Sequence, residues 1–179
     1  MCKSERVSLL IEGLYGPDKA ERAKCMNGIV KCGKTAVIPL INLLEDDSWV
    51  IRYRAAEALG LIGDERALSA LAGSLHDEKD HVRYMAAKGL GMFGQKESSI
   101  SLLPLLRDEN EYVRRITAVS LGNIGVSSSA KAALETAVKI EKDSSALDAM
   151  KQALEKISYN PSLFTGLISF WIRFEILMP

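Results

Sequence analysis

The chain is 179 residues long, 47% hydrophobic and 26% charged, which describes a folded globular protein and excludes a disordered one. Lys plus Arg equals Asp plus Glu at 23 each, so no summed field draws in nucleic acid or anionic membrane from a distance. Partners have to be met by local shape.

The first ten residues carry charge at Lys3, Glu5 and Arg6 and lack the apolar stretch of a signal peptide. Three cysteines, Cys2, Cys25 and Cys32, contain no CxxC pair, and this usage fits a reducing cytosol better than a disulfide framework. A cytoplasmic location is therefore expected. Cys25 and Cys32 share one helical face and read as small buried apolar residues.

From Ala36 onward three segments superimpose at a spacing of 31 residues: 36–63, 67–94 and 98–125. Matches fall on Leu40/Leu71/Leu102, Leu44/Leu75/Leu106, Asp46/Asp77/Asp108, Arg52/Arg83/Arg114, Ala56/Ala87/Ala118, Leu59/Leu90/Leu121, Gly60/Gly91/Gly122 and Gly63/Gly94/Gly125. A fixed period of this length signals stacked units, each too small to bury its own apolar face. Within a unit the apolar residues recur at three and four, as in Leu40, Ile41, Leu43, Leu44 and then Ile51, Ala55, Ala58, Leu59, Ile62. That is helical spacing twice over, so each unit is a helical hairpin.

The turn inside each hairpin is polar, with Ser48 and Asn110 as expected N-caps. Gly63, Gly94 and Gly125 follow the second helices, where a left-handed residue is commonly needed. Gly60, Gly91 and Gly122 fall inside those helices, at a cost of about 1 kcal/mol each relative to alanine, which close approach of a neighbouring helix would offset. Pro104 lies well inside a first helix and predicts a bend there.

Weaker copies flank the three. Upstream, Leu10, Leu14, Arg22, Met26, Ile29 and Gly33 match Leu40, Leu44, Arg52, Ala56, Leu59 and Gly63 if the following loop is one residue shorter. Downstream, Leu134, Val138, Leu154 and Ile157 continue the register across small insertions. The expected fold is an all-α superhelix of about five hairpins over residues 1–158, with units near 7–33, 36–63, 67–94, 98–125 and 130–158 and the end units acting as caps. Residues 159–179 form an apolar C-terminal tail. Its stretch 163–178 is too short and too interrupted by Arg173 and Glu175 to span a bilayer. Three roles stay open for it: closing the last unit, self-association or contact with a membrane surface, and a remnant foreign to the natural protein.

The segments 46–52 and 55–67, with their two copies, resemble the short HEAT-like repeats of the phycobilisome lyase family. The resemblance covers Thr35 to Ser158 well and Val7 to Lys34 more loosely. It implies an α-solenoid and leaves function open, because such repeats occur in bilin lyases, adaptor proteins, DNA glycosylase relatives and artificial binding scaffolds. The iron hydroxylases built on this fold use His-Glu dipeptides. Here His76 precedes Asp77 and His81 precedes Val82, so that chemistry is excluded.

No catalytic residue, metal ligand or cofactor-binding motif stands out. The recurring Asp and Arg read as a hydrogen-bonded ladder between turns. What varies between copies is more informative, because the second helices should line one concave wall. The candidate partner-binding residues there are Trp49, Tyr53, Arg54 and Glu57 from one copy, His81, Tyr84, Met85 and Lys88 from the next, and Tyr112, Arg115 and Ile116 from the third. Trp, Tyr, Met and Arg dominate protein interfaces, so the expected partner is a protein or peptide. Arg54, Lys88 and Arg115 are balanced by Glu57, Asp80 and Glu111, which argues against nucleic acid. The competing expectations are a bilin lyase-like enzyme holding a tetrapyrrole on the same wall, and a self-assembling module using the tail.

Overall fold

The structure is a computed structural model describing residues 4–125 and 127–158. The tail, 159–179, and the roles expected of it lie outside the described residues, as does Cys2.

Ten α-helices pair into five hairpins among the described residues. They are α1 Ser4–Glu12 with α2 Lys19–Cys32, α3 Val37–Asn42 with α4 Trp49–Ile62, α5 Leu68–Gly73 with α6 Asp80–Phe93, α7 Ser98–Leu102 with α8 Glu111–Ile124, and α9 Ser128–Val138 with α10 Ser144–Ser158. The expected all-α solenoid is what forms. No helix among the described residues is long and apolar enough to cross a membrane.

One continuous core runs the length of the stack. The repeat leucines fill it: Leu40, Leu71 and Leu102 from the first helices and Leu59, Leu90 and Leu121 from the second are all essentially inaccessible. Each such side chain stabilises the fold by about 1.5–3 kcal/mol. Cys25 is buried and free, whereas Cys32 is half-buried and disulfide-bonded, so the reading of both as small buried residues holds for Cys25 alone.

The long helices α4, α6, α8 and α10 lie directly against one another, while the short first helices meet sparsely. The layer with the closer spacing is the inner side of the curve. Glycine and other small residues permit that spacing. A Cβ added at Gly60 would sit 3.0 Å from the Cα of Gly89, one at Gly91 2.8 Å from the Cα of Ser120, and one at Gly122 3.1 Å from the Cα of Ala153. The glycines that cost helix propensity are therefore the ones at which neighbouring backbones nearly touch.

Gly63 and Gly94 end their helices in the left-handed region, at φ of 69° and 66°. Asn110 caps α8, its side-chain oxygen accepting from the amides of Tyr112 and Val113. Ser48 occupies the cap position of α4 without a hydrogen bond from its hydroxyl; its own amide donates to Asp46 Oδ1 instead. Pro104 sits in a 3₁₀ segment, Leu103–Arg107. The other first helices also tighten into 3₁₀ turns, at Leu43–Glu45 and Ser74–His76, but Asn42 and Gly73, equivalent to Pro104, are still α-helical, so the proline starts the tightening earlier in its unit.

Arginines tie the turns together. Arg83 Nη1 donates to the carbonyls of Asp77 and Glu78 in its own turn at 2.9 and 3.2 Å. Its Nε and Nη2 fork onto the carboxylate of Asp108 in the next turn at 2.7 and 2.9 Å. Arg52 repeats this on Asp46, Asp47 and Asp77, and Arg114 repeats it on Asp108, Glu109 and Glu141. The forks satisfy guanidinium groups that are only about a tenth exposed in Arg52 and Arg83. The ladder links successive turns through paired charges.

Candidate functional site: the inner wall of the second helices

The second helices present equivalent positions at a 31-residue interval, so side chains fall into columns across the inner wall. Tyr53, Tyr84 and Arg115 form one column, and Val50, His81 and Tyr112 a second. Both columns meet in a groove of about 460 Å³ lined by Tyr53, Asp80, His81, Tyr84, Asn110, Tyr112, Val113 and Arg115. Trp49 joins its rim through a tilted ring contact with His81, centroids 5.1 Å apart and planes at 49°.

Of the residues expected from sequence, Tyr53, His81, Tyr84, Tyr112 and Arg115 line this groove and Trp49 borders it. Arg54 and Glu57 pair with each other at 2.8 Å, and the guanidinium of Arg54 lies over the Tyr53 ring at 5.4 Å. Lys88 is exposed outside the groove. Ile116 lines a second groove, also about 460 Å³, with Arg115, Val119, Ser144, Ser145, Asp148, Ala149 and Gln152. Met85 does not belong to the wall: it is 4% exposed, because its position points between helices in the fully flanked central unit. Its resemblance to an interface residue came from residue type alone.

Sequence reasoning missed two parts of the wall. Asn110, read only as a cap, also donates through Nδ2 to Asp80 of the preceding unit. The extension onto α10 was hidden by the insertion around Lys142, which shifts the period. A signal existed in the polar run Ser144, Ser145, Asp148 and Gln152, spaced along one helical face.

Hydrogen bonds set the electrostatics. Asp80 accepts from the backbone amide of His81 at 2.7 Å, from the His81 ring at 2.7 Å and from Asn110. The His81 ring contact, more than the other bonds, holds the Asp80 carboxyl below its ordinary range. Tyr53 is shifted upward by burial first and by the charge of Glu57 second. The Tyr53 hydroxyl keeps its proton at neutral pH and can donate to a ligand. Among the described residues no three His, Cys, Asp or Glu side chains come together to hold a metal. The arrangement offers stacking faces, hydroxyl donors and one guanidinium.

The description "HEAT repeats" matches this chain over residues 7–83 and 74–155. No curated protein matches it. Among solved structures it resembles the complex of CpcE and CpcF of phycocyanin lyase from Nostoc sp. PCC7120, with a TM-score of 0.75 and 20% identity over 84% of this chain and 99% of that one. A designed armadillo repeat protein in complex with the peptide (KR)4 matches at a TM-score of 0.60 and 19% identity, covering 85% of this chain and 82% of the design. Human deoxyhypusine hydroxylase in complex with glycerol matches at 0.55 and 26% identity, over 66% of this chain and 43% of the enzyme.

Proposed function

The chain belongs to the HEAT repeats family, and on that footing we propose that it is a non-enzymatic scaffold that binds a protein or peptide along the inner wall of its second helices. The single observation that carries this reading is the groove itself, where Tyr53, Tyr84 and Tyr112 from three successive units converge. Tyrosines bury large rigid area at low entropic cost and keep a polar tip for orientation. The likeness to a peptide-binding armadillo design supports the architecture of such a surface.

A tetrapyrrole-holding lyase subunit is the second reading, favoured by the likeness to the phycocyanin lyase complex and by the planar faces in the groove. Affinity capture from native cells with the wild type and with the double variant Tyr84→Ala, Tyr112→Ala tests the first. The scaffold reading expects a protein partner held by the wild type and lost by a variant whose melting curve is unchanged. Equal capture by both rejects it. Incubation with a bilin and its acceptor, watched for an absorbance shift, tests the second.

A further inference from the structure

Arg115 differs from the other arginines of the inner wall and the turns. Arg52, Arg83 and Arg114 are forked onto carboxylates, and Arg54 is paired with Glu57. Among the described residues Arg115 has a single hydrogen bond, a long one of 3.4 Å to the hydroxyl of Ser145, and it lies over the Tyr112 ring at 5.8 Å. It also lines both inner grooves and stands at the boundary between them.

The acidic neighbours do not supply the missing partner. Asp80, in the first groove, accepts from His81 and Asn110 rather than from Arg115. Asp148, on α10, borders only the second groove. Among the described residues no carboxylate pairs with Arg115, so its guanidinium keeps donors above an aromatic face for a carboxylate brought by a ligand.

We infer that the segment bound in the groove is a peptide presenting an Asp or Glu side chain to Arg115, next to an aromatic or large aliphatic residue that rests between Tyr84 and Tyr112. This deepens the scaffold reading and rests on it. The adjacency of the two residues follows from the wall, because the tyrosine faces and the guanidinium of Arg115 line one groove. The chemistry is opposite in sign to a basic ligand, and it depends on one side chain.

Fluorescence anisotropy with short fluorescein-labelled peptide pools tests it, using the full chain. One pool fixes Tyr-Asp at its centre, a second Tyr-Asn, a third Tyr-Lys, and a fourth places Tyr at a free C-terminus. The Tyr-Asp pool is expected to bind roughly tenfold tighter than Tyr-Asn, in line with one charge-assisted hydrogen-bond pair. Arg115→Gln should abolish that preference, and Arg115→Lys should restore part of it. Equal binding of the Tyr-Asp and Tyr-Asn pools by the wild type, a preference that survives Arg115→Gln, a stronger response to the Tyr-Lys or C-terminal pool, or no binding by any pool overturns the inference. None of these results touches the capture experiment with the tyrosine variants, which decides the scaffold reading separately. The wild-type comparison stands even if Arg115→Gln were to fold poorly.

Discussion

The joint between the first and second hairpins and the joints in the middle of the stack are built from the same plan with different parts. In the middle, Gly60, Gly91 and Gly122 bring long helices into backbone contact, and Arg52 and Arg83 fork across to the next turn. At the first joint Val30 stands where those glycines stand, and α2 meets α4 far more sparsely. Arg22 still clamps the carbonyls of its own turn, Gly16 and Pro17, both at 2.7 Å. The carboxylate beyond it, Asp46, is taken instead by the hydroxyl of Tyr15. Tight spacing and the fork go together: at the sparser joint the arginine no longer spans the gap, and the Tyr15 hydroxyl takes the carboxylate in its place.

The sharpest test is to remove equivalent arginines. Arg83→Ala strands Asp108, whose side chain is 8% exposed, and should cost about 3–5 kcal/mol in chemical denaturation. Arg22→Ala removes carbonyl contacts only and should cost about 1 kcal/mol. Equal losses would erase the distinction between the joints. Next, Leu90→Ala at 1% exposure should cost about 2–5 kcal/mol, with hydrogen exchange accelerating in the flanking units as well as its own. A strictly local acceleration would argue that the units are not coupled.

The two ends should also fail at opposite pH. Glu141 is 3% exposed, and its bond to Arg114 holds its carboxyl down at about 2. A lowered folded value gives stability that is complete above the ordinary carboxylate range near 4.5 and is lost as pH falls toward 2, on the order of 2–3 kcal/mol. Tyr15 is pushed up to about 12, first by its hydrogen bond to Asp46. A raised folded value gives stability present below pH 10 and lost as pH climbs toward 12. Because Tyr15 is 54% exposed, that loss should stay below about 1 kcal/mol. Exchange measured at each extreme should show the C-terminal joint loosening in acid and the N-terminal one in base. Between these in size, Gly91→Val forces a side chain onto Ser120 and should cost about 1–3 kcal/mol, making a central joint resemble the first.

The fold was legible because its determinants recur. Leu59, Leu90 and Leu121 at one period state the stacking, and Gly60, Gly91 and Gly122 state where helices touch. The ladder of Asp and Arg was also legible as a ladder. What the period could not give is direction, since Asp46 and Asp77 are equally plausible carboxylates for Arg52 until the turns are placed side by side. The inner wall was harder because variable positions carry no internal check. Tyr84 and Met85 look alike as variable, bulky neighbours, yet one turns into the groove and the other into the core. The Asp80–Asn110 bond was missed because Asn110 already had a sufficient local explanation as a cap.

The clamp on each arginine points one way, toward the carboxyl terminus. Every middle unit thus offers an acid to the unit before it and a base to the unit after it, like identical links with a hook and an eye. Excising residues 67–97 would bring Asp108 to the place Asp77 held relative to Arg52, and the chain would close over the gap with no orphaned charge. The length of the wall is in this sense adjustable in whole steps, so lineages can lengthen or shorten the reach of such a protein by copying or dropping a segment without redesigning its seams.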